Sequence, residues 1–529
     1  MKNLSFGTLA VAGVFSAGFL ISGCSTDESE TEQMPNILFF LVDDMGWQDT
    51  SVPFWDERTN FNGLYHTPNM ERLAAEGMKF TQAYACAVCS PTRTSLMTGM
   101  NAARHGVTNW TLRRNTSTDR ADDILEMPSW KVNGLQPVDT IENSVYATNL
   151  VQLLKEHGYF TIHSGKAHWG AIDTPGSDPV NLGFDINIAG HAAGGLGSYH
   201  AAQNFGNAEK GEHTLPWGVP GLEQYHGDTL HLTDVLTLEA VRALDHARET
   251  GKPFYLYMSH YTVHTPIEPH SPYYKKYSDM GLEESEARYA SMLEGMDASL
   301  GTLMDYLDEH GLLDNTIILF MSDNGGLSAH ARAGDPHTHN WPLNSGKGSA
   351  YEGGIRVPMI VSWPGVVEPG SVNNDYLIIE DYFPTILEMA QVENYQTIQQ
   401  TDGVSFVPRL RQEKTTSEDR NLIFHYPNKW GGTGPGIGTT STIRSGDWKL
   451  VYWYKDQRFE LFNVAEDIGE KNNLAEAEPA KVTELAAELG EYLRSVDADR
   501  PSFKLTGKPV PWPDEAISFN NQKDFIIVK

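Results

Sequence analysis

Short apolar runs alternate with amphipathic helical patterns along most of this 529-residue chain. The runs are rich in β-branched and aromatic residues and lie at residues 37–42, 159–162, 254–258 and 316–321. Between them, apolar residues recur every three or four positions, in residues 148–156, 234–248 and 285–309. Such alternation predicts an α/β fold, in which helices cover both faces of a large, mostly parallel sheet.

Each apolar run ends in polar side chains of the kinds that catalyse reactions or bind metals. Ligands of parallel sheets bind outside the carboxyl ends of the strands, so side chains that follow several strands can meet in one place. Turn formation explains any single pair of such residues, but four strand ends in one chain favour a shared site. The side chains concerned are Asp43, Asp44, Lys166, His168, His264, Asp323 and Asn324.

The pattern changes near residue 420. Short strands separated by turns are predicted after this point, and one amphipathic helix follows them at residues 480–496. We therefore expect a main domain over residues 35–420. A smaller α+β subdomain, an antiparallel sheet with a helix, is expected over residues 421–529.

The N-terminus has the pattern of an export signal. Lys2 precedes an apolar stretch at residues 9–21, which has signal-peptide length and is too short to span a bilayer comfortably. The stretch ends in Leu-Ile-Ser-Gly before Cys24 and resembles the lipobox of bacterial lipoproteins. We expect a lipoprotein signal peptide over residues 1–23, a polar tether over residues 24–34, and a lipid anchor on Cys24 in the bacterial periplasm or at the cell surface. An ordinary secretory signal is the alternative.

Acidic residues outnumber basic ones by 69 to 39, which leaves a formal net charge of -30. This excess argues against binding to nucleic acid or to an anionic membrane surface, so membrane contact is expected only through the lipid anchor. The three cysteines cannot form a disulfide framework, and after Cys24 only Cys86 and Cys89 remain.

The spacing of Cys86 and Cys89 is that of a CxxC redox dithiol, which is the first interpretation to consider. The residues that follow favour another one, because Ser90 and Pro91 form a typical N-cap and first helical residue. Cys89 is then predicted to lie just before a helix N-terminus, where backbone amides and the helix dipole favour an anion. Cys86 is expected to be a small buried residue.

Residues 89–99 read Cys-Ser-Pro-Thr-Arg-Thr-Ser-Leu-Met-Thr-Gly. They match the pattern Cys-x-Pro-Ser/Thr-Arg, followed by a small residue, Ser-Leu and Thr-Gly. The chain therefore resembles the formylglycine-dependent type I sulfatases of the alkaline-phosphatase superfamily, from residue 35 to residues 460–467. The resemblance implies an alkaline-phosphatase-like fold and hydrolysis of sulfate esters. It also implies oxidation of Cys89 to formylglycine by a formylglycine-generating or an anaerobic sulfatase-maturating enzyme.

A calcium site is also implied by the resemblance. Asp43 and Asp44 match one calcium-binding pair of the family, and Asp323 and Asn324 match the second. Hard oxygen ligands from two strand ends suit Ca²⁺ independently of the family, although the sequence contains no EF-hand loop.

The remaining matches concern catalysis. Arg93 matches the arginine that braces the formylglycine, and Lys347 matches the second active-site lysine. Lys166 and His168 match a Gly-Lys-Trp-His-Leu-Gly element, which here reads Gly-Lys-Ala-His-Trp-Gly and leaves open how the moved aromatic packs. The two lysines are expected to hold sulfate oxygens. His264, which matches the histidine before Thr-Pro, would protonate the leaving alcohol, and His168 would help the hydrated aldehyde lose a proton.

Polar loops supply the candidate substrate contacts. His337 and His339, with the neighbouring His330, are interpreted as part of a loop that rims the substrate pocket, and a surface position is the alternative. His191 and Arg113 are further candidates on other loops.

An exported sulfatase with aromatic and histidine-rich loops is expected to act on carbohydrate. Residues 165–168 and 189–195 resemble segments of polysaccharide-utilisation sulfatases that act on galactose or N-acetylgalactosamine units. This resemblance implies O-sulfated units of a polysaccharide, with the 4-O position of a carrageenan-like galactan as the most specific form and a chondroitin-like glycan as the alternative. Three alternatives stay open. They are a general arylsulfatase, a formylglycine-dependent phosphonate or phosphodiester hydrolase, and a non-catalytic glycan-binding lipoprotein if Cys89 is never oxidised.

Overall fold

The computed structural model describes residues 34–206, 216–413 and 420–521, and the predicted signal peptide and all but the last residue of the tether lie outside these ranges. The strands are β1 (Asn36–Val42), β2 (Met78–Tyr84), β3 (Leu125–Glu126), β4 (Leu135–Gln136), β5 (Val145–Tyr146), β6 (Phe160–Gly165), β7 (Ile186–Ile188), β8 (Phe254–Ser259), β9 (Thr316–Ser322), β10 (Arg356–Ser362), β11 (Ser371–Ile378), β12 (Asn421–Tyr426), β13 (Thr440–Ser445), β14 (Trp448–Trp453), β15 (Phe459–Asn463) and β16 (Ser502–Phe503). The α-helices are α1 (Asn60–Leu64), α2 (Pro68–Glu76), α3 (Cys89–Thr98), α4 (Ala102–His105), α5 (Leu150–Glu156), α6 (Leu232–Thr250), α7 (Ser271–Asp279), α8 (Glu284–Glu309), α9 (Glu352–Ile355), α10 (Tyr382–Met389), α11 (Val407–Leu410), α12 (Pro479–Ser495) and α13 (Pro513–Asn521). No helix in the described ranges combines the length and the apolar character that are needed to cross a bilayer.

A large mixed sheet has the strand order β11-β2-β10-β9-β1-β8-β6-β7. Neighbouring strands pair in parallel except around β10, which runs antiparallel to both β2 and β9. The sheet is therefore mostly parallel, as predicted. The four predicted strands are β1, β6, β8 and β9, and they are consecutive neighbours, so their carboxyl ends lie along one edge.

The central strand β1 is buried on both faces. Phe39 packs in a core that includes side chains of α3, α5 and α10, whereas Phe40 packs in a second core with side chains of α6 and α8. Because successive side chains of a strand point to opposite faces, a strand covered on both sides reads as a continuous apolar run. The three predicted helices correspond to α5, α6 and α8, with α5 capped by the Asn149 side chain.

The C-terminal region forms the predicted antiparallel sheet, with the order β12-β13-β14-β15, and α12 packs on it. Ile443 and Leu450 of the sheet share a hydrophobic cluster with Leu485 and Leu489 of the helix. Among the described residues, β16 pairs with β3 of the main domain. The boundary at residue 420 stays a prediction.

Candidate active site

The carboxyl ends of four adjacent strands meet at one place. The backbone amide of Asp323, after β9, donates to the carbonyl of Val42 at 3.0 Å, and the amide of Asp43, after β1, donates to the carbonyl of Thr262 at 2.9 Å. On the far side of β8, the amide of Lys166 donates to the carbonyl of Ser259 at 2.7 Å. These contacts bring the polar residues that follow β1, β6, β8 and β9 into a single buried cluster.

Helix α3 begins at Cys89, which is earlier than predicted. The N-cap position is occupied by Val88, so the prediction of Ser90 as N-cap and Pro91 as the first helical residue is wrong. The third helical position accommodates Pro91 because the first four amides of a helix have no acceptor within it. The Ser90 hydroxyl instead accepts a hydrogen bond from the amide of Thr111 at 3.1 Å. Cys89 therefore lies in the first turn of a buried helix, beside its free amides.

Three buried cations pair with three buried carboxylates. The closest N–O distances are 2.6 Å for Lys166 with Asp43, 2.6 Å for Lys347 with Asp44, and 2.8 Å for Arg93 with Asp323. The Arg93 guanidinium also donates to the Lys166 carbonyl at 2.8 Å and to the Ser259 hydroxyl at 2.7 Å. Each buried charge thus has a partner of opposite charge. Without one, its desolvation would cost several kcal/mol of folding free energy.

The neighbouring carboxyls Asp43 and Asp44 differ in proton affinity. Burial, reinforced by the nearby Asp323, raises the pKa of Asp43 well above its usual value. Burial acts in the same direction on Asp44, but Lys347 and His264 outweigh it and hold the pKa of that carboxyl below its usual value.

The acidic cluster fits a hard divalent cation. Ligand oxygens of Asp43, Asp44 and Asp323 all lie within 4.8 Å of one another. The Asp43 Oδ1 and Asn324 Oδ1 atoms are buried and have no hydrogen-bond partner among the described residues. The side-chain nitrogen of Asn324, Nδ2, donates to Asp44 Oδ1 at 2.8 Å. This hydrogen bond sets the orientation of the Asn324 amide and leaves its oxygen, Oδ1, available as a ligand. An all-oxygen donor set with unsatisfied buried oxygens is what Ca²⁺ prefers.

The two predicted catalytic histidines each retain one free ring nitrogen. His168 lies 2.8 Å from the Thr111 carbonyl through Nε2, and its buried Nδ1 has no partner in the described part of the chain. His264 bonds through Nδ1 to the Thr265 carbonyl at 2.8 Å, and its Nε2 lies 3.9 Å from Asp44 Oδ2. Burial together with nearby lysines lowers the pKa of His168 well below its usual value and that of His264 to about 3. Both rings are therefore neutral at neutral pH.

Trp169, the aromatic residue whose position in residues 165–170 differs from that in the family element, packs in the core. Trp169 is fully buried and stacks on Phe184, with ring centroids 5.8 Å apart. Its indole N–H donates to the carbonyl of Arg93 at 3.1 Å. The indole thus supports the backbone of α3 through this hydrogen bond, and Ala167 is buried in the same hydrophobic core.

A cavity of about 450 Å³ opens above this cluster. Cys89, His168, His264 and Lys347 line it together with Asp44. Further lining residues were not found from the sequence: Trp110, Thr118, Arg120, Trp217, Leu327 and Trp430. They come from loops far apart in the chain, and no local pattern marks them.

Most of the predicted substrate-contact residues lie outside the cavity lining. His330 lines the cavity, but His191, His337, His339 and Arg113 are not among its lining residues. The His191 ring bonds to the Pro216 carbonyl and the Tyr261 hydroxyl, and His339 Nε2 lies 2.6 Å from the Ala333 carbonyl. Arg113 is exposed and pairs through its backbone with Ile172, and His337 has left-handed backbone geometry in the rim loop. Substrate contact by these four residues stays a prediction.

Cys86 is half-buried at the edge of the core that includes α3. Burial raises the pKa of its thiol to about 12 and also raises that of the Cys89 thiol. Both thiols therefore stay protonated at neutral pH, which disfavours the redox-dithiol interpretation.

A family model described as Sulfatase matches residues 35–392, and one described as N-sulphoglucosamine sulphohydrolase, C-terminal, matches residues 344–499. The chain belongs to the sulfatase family of the alkaline-phosphatase superfamily. It is a sulfuric ester hydrolase, as its sequence predicts.

Relatives and solved structures match along most of the chain. A protein named Sulfatase from Formosa agariphila is 30% identical over 530 residues, which cover 90% of this chain and 92% of that protein. The N-acetylgalactosamine-6-sulfatase of Homo sapiens is 29% identical over 461 residues, which cover 84% of this chain and 77% of that protein. The crystal structure of Ps i-CgsB in complex with k-i-k-neocarrahexaose superposes with a TM-score of 0.66 at 27% identity, covering 87% of this chain and 93% of that one.

Proposed function

We propose that this protein is an exported, calcium-dependent sulfatase that removes sulfate from carbohydrate by means of a formylglycine formed from Cys89. The observation that carries the proposal is the position of Cys89. It lies in the first turn of α3, on the wall of a cavity that Lys347, His168 and His264 also line, next to a cluster of carboxylate oxygens that could hold a metal ion.

The lysines are suited to bind a sulfate ester. Lys347 lines the cavity with Cys89 and would hold an oxygen of the anionic sulfate. Lys166 is fully buried in the same cluster and is not among the cavity-lining residues, so it would add positive charge to the sulfate site. Asp43, Asp44, Asp323 and Asn324 would hold Ca²⁺, which supplies Lewis-acid polarisation of the reacting oxygens when bound. The cluster is then positive, which favours a sulfate anion despite the acidic chain around it.

Residue 89 must be modified to react. Its thiol is protonated because burial raises its pKa, so unmodified cysteine is a poor nucleophile. Oxidised to formylglycine and hydrated, the residue would supply one hydroxyl to attack sulfur and a second whose deprotonation expels sulfate.

The two histidines are placed to move protons. His264 presents Nε2 on the cavity wall, where a leaving alcohol would need a proton. Its pKa is low because of burial and of the field of Lys347, and an anionic sulfate bound by that lysine would offset the field and raise the pKa. His168 keeps an unpartnered Nδ1 next to residue 89 and would accept a proton from the hydrated aldehyde.

Aromatic walls support a carbohydrate substrate. Trp110, Trp217 and Trp430 offer flat apolar faces on which sugar rings can pack. The carrageenan-bound neighbour and the N-acetylgalactosamine sulfatases support galactose-type sugars, and we propose O-sulfated galactose or N-acetylgalactosamine units of a polysaccharide, with the 4-O position of a carrageenan-like glycan as the specific form.

We extend the proposal to location and partners. The apolar stretch at residues 9–21 and Cys24 support export and lipid anchoring in the periplasm or at the cell surface. Oxidation of Cys89 requires a formylglycine-generating or an anaerobic sulfatase-maturating enzyme as a transient partner.

Two measurements test the proposal. Hydrolysis is compared among defined sulfated galacto-oligosaccharides and an aryl sulfate, by release of sulfate, and a phosphodiester, by release of its alcohol, and we expect the oligosaccharides to be the best substrates. Faster hydrolysis of the aryl sulfate than of the oligosaccharides would indicate a general arylsulfatase. Hydrolysis of the phosphodiester alone would overturn the sulfatase chemistry. Mass spectrometry of the peptide that contains residue 89 should detect the aldehyde, and an intact thiol without turnover would indicate a glycan-binding protein.

A further inference from the structure

Arg120 projects a guanidinium into the cavity and has no side-chain partner in the described residues. It lines the cavity on the wall formed by Trp430 and Gly431, and neither an ion pair nor a side-chain hydrogen bond engages it there. Surface arginines are commonly solvated, so its exposure alone carries no argument. What distinguishes Arg120 is that the acidic groups near it are paired with other residues.

Carboxylates close to Arg120 in sequence are committed to other partners. Asp119 accepts hydrogen bonds from the Asn109 side chain at 2.8 Å and from the Trp130 indole at 3.0 Å. Asp122 pairs with Lys429 at 2.8 Å and also with a second lysine. The acids of this segment therefore do not neutralise the guanidinium, although the chain as a whole has an excess of acid.

The backbone that carries Arg120 is held in place. Its amide donates to the carbonyl of Lys429 at 2.9 Å, which fastens this segment to the loop of Trp430. The neighbouring Asp119 reinforces the link by accepting from the Asn428 side chain at 3.1 Å. A charged group on an anchored backbone loses less conformational entropy on binding a ligand than one on a mobile loop.

The same wall continues to the proposed sulfate site. Trp430 packs so closely on Gly348 that a Cβ there would lie 2.2 Å from the indole. Gly348 follows Lys347 directly, and a Cβ on Gly431, the residue after Trp430, would lie 3.4 Å from Arg120 Nε. Lys347, Trp430 and Arg120 all line the same cavity, so an oligosaccharide that packs on Trp430 can reach both cations.

We propose that Arg120 forms a second anion subsite, which selects oligosaccharides that carry another negatively charged group on the sugar next to the one that is desulfated. This rests on the proposed function. A planar guanidinium binds an oxyanion through two parallel hydrogen bonds, and a second sulfate or a uronic acid carboxylate both offer that geometry. The chemistry shared by the two is an oxyanion about one sugar away from the scissile sulfate.

The test compares three disaccharides that share the same sulfated unit. The second unit is neutral, sulfated or a uronic acid, and kcat/KM is measured for the wild-type enzyme, Arg120→Gln and Arg248→Gln. The last variant removes the same unit of charge from the exposed end of α6 and controls for long-range attraction. We expect the wild-type enzyme and Arg248→Gln to prefer a charged disaccharide by about tenfold, which corresponds to about 1.4 kcal/mol.

In Arg120→Gln this preference should fall to within about twofold, because kcat/KM should fall more for the charged disaccharides than for the neutral one. The charged disaccharide that is no longer preferred by Arg120→Gln shows whether the arginine binds a sulfate or a carboxylate. Equal rates for all three disaccharides with the wild-type enzyme, or an unchanged preference in Arg120→Gln, would overturn the subsite while leaving the sulfatase function intact. Release of sulfate from none of them, by an enzyme with an aldehyde at residue 89, would instead overturn the proposed function.

Discussion

Replacing Arg93 by methionine should destabilise the protein and disable the active site together. Methionine is similar in length and apolar, so the change leaves the fully buried Asp323 with only the more distant Lys166, whose Nζ lies 3.9 Å from Oδ2. Two guanidinium contacts to Asp323 Oδ2, at 2.8 and 3.0 Å, disappear, along with those to the Lys166 carbonyl and the Ser259 hydroxyl.

The magnitude follows from the burial of the pair. Removing one partner of a buried ion pair costs about 3–5 kcal/mol, because the remaining charge is desolvated and uncompensated. Unfolding entropy of about 2.1 cal/mol/K per residue gives about 1 kcal/mol/K for a chain of roughly 500 residues. The melting temperature of Arg93→Met should therefore fall by about 4 °C.

The assay is calorimetry at one fixed scan rate, with and without added Ca²⁺, beside Arg104→Met as a matched control. Arg104 pairs with Asp402 at 2.7 Å, but both side chains are partly exposed, so this pair is expected to contribute less than the fully buried one. Added Ca²⁺ should restore more stability to Arg93→Met than to the wild-type protein, since a bound cation neutralises Asp323. A loss no larger than that of Arg104→Met, together with retained turnover, would refute this reasoning.

Three further predictions concern the reaction. Lys347→Ala should abolish sulfate release while Lys481→Ala, on the surface of α12, leaves it unchanged; wild-type rates in Lys347→Ala would exclude it from the sulfate site. His264→Ala should slow substrates with an alkyl leaving group at least about 100-fold more than those with an acidic phenol, because only the former need a proton donor; equal slowing of both substrate types would argue against general acid catalysis. Chelation with EDTA should stop turnover and lower the melting temperature, and Ca²⁺ should reverse both; full activity after exhaustive chelation would contradict the metal site.

The main elements could be predicted because their signals are local. Strands β1 and β9 are buried on both faces, so each reads as an unbroken apolar run. The alternation of such runs with helical patterns is sufficient to predict the sheet, and the motif at residues 89–99 lies within one short segment. The start of α3 was less predictable, because a proline is tolerated at several positions in the first turn of a helix.

The sequence by itself determined the α/β class, the position of Cys89 in a sulfatase motif and the polar residues at the four strand ends. These features depend on neighbours in the chain and on the rule that ligands bind at the carboxyl ends of parallel strands. Only the tertiary structure decided which cation pairs with which carboxylate. It also decided the cavity wall, where Trp110, Trp217 and Trp430 converge from separate loops. Loops carry no periodic pattern, and their side chains meet only because packing of the sheet and helices brings their ends together. For the same reason Arg120, which its sequence context marks as an ordinary surface residue, faces the cavity, whereas Arg113 does not line it.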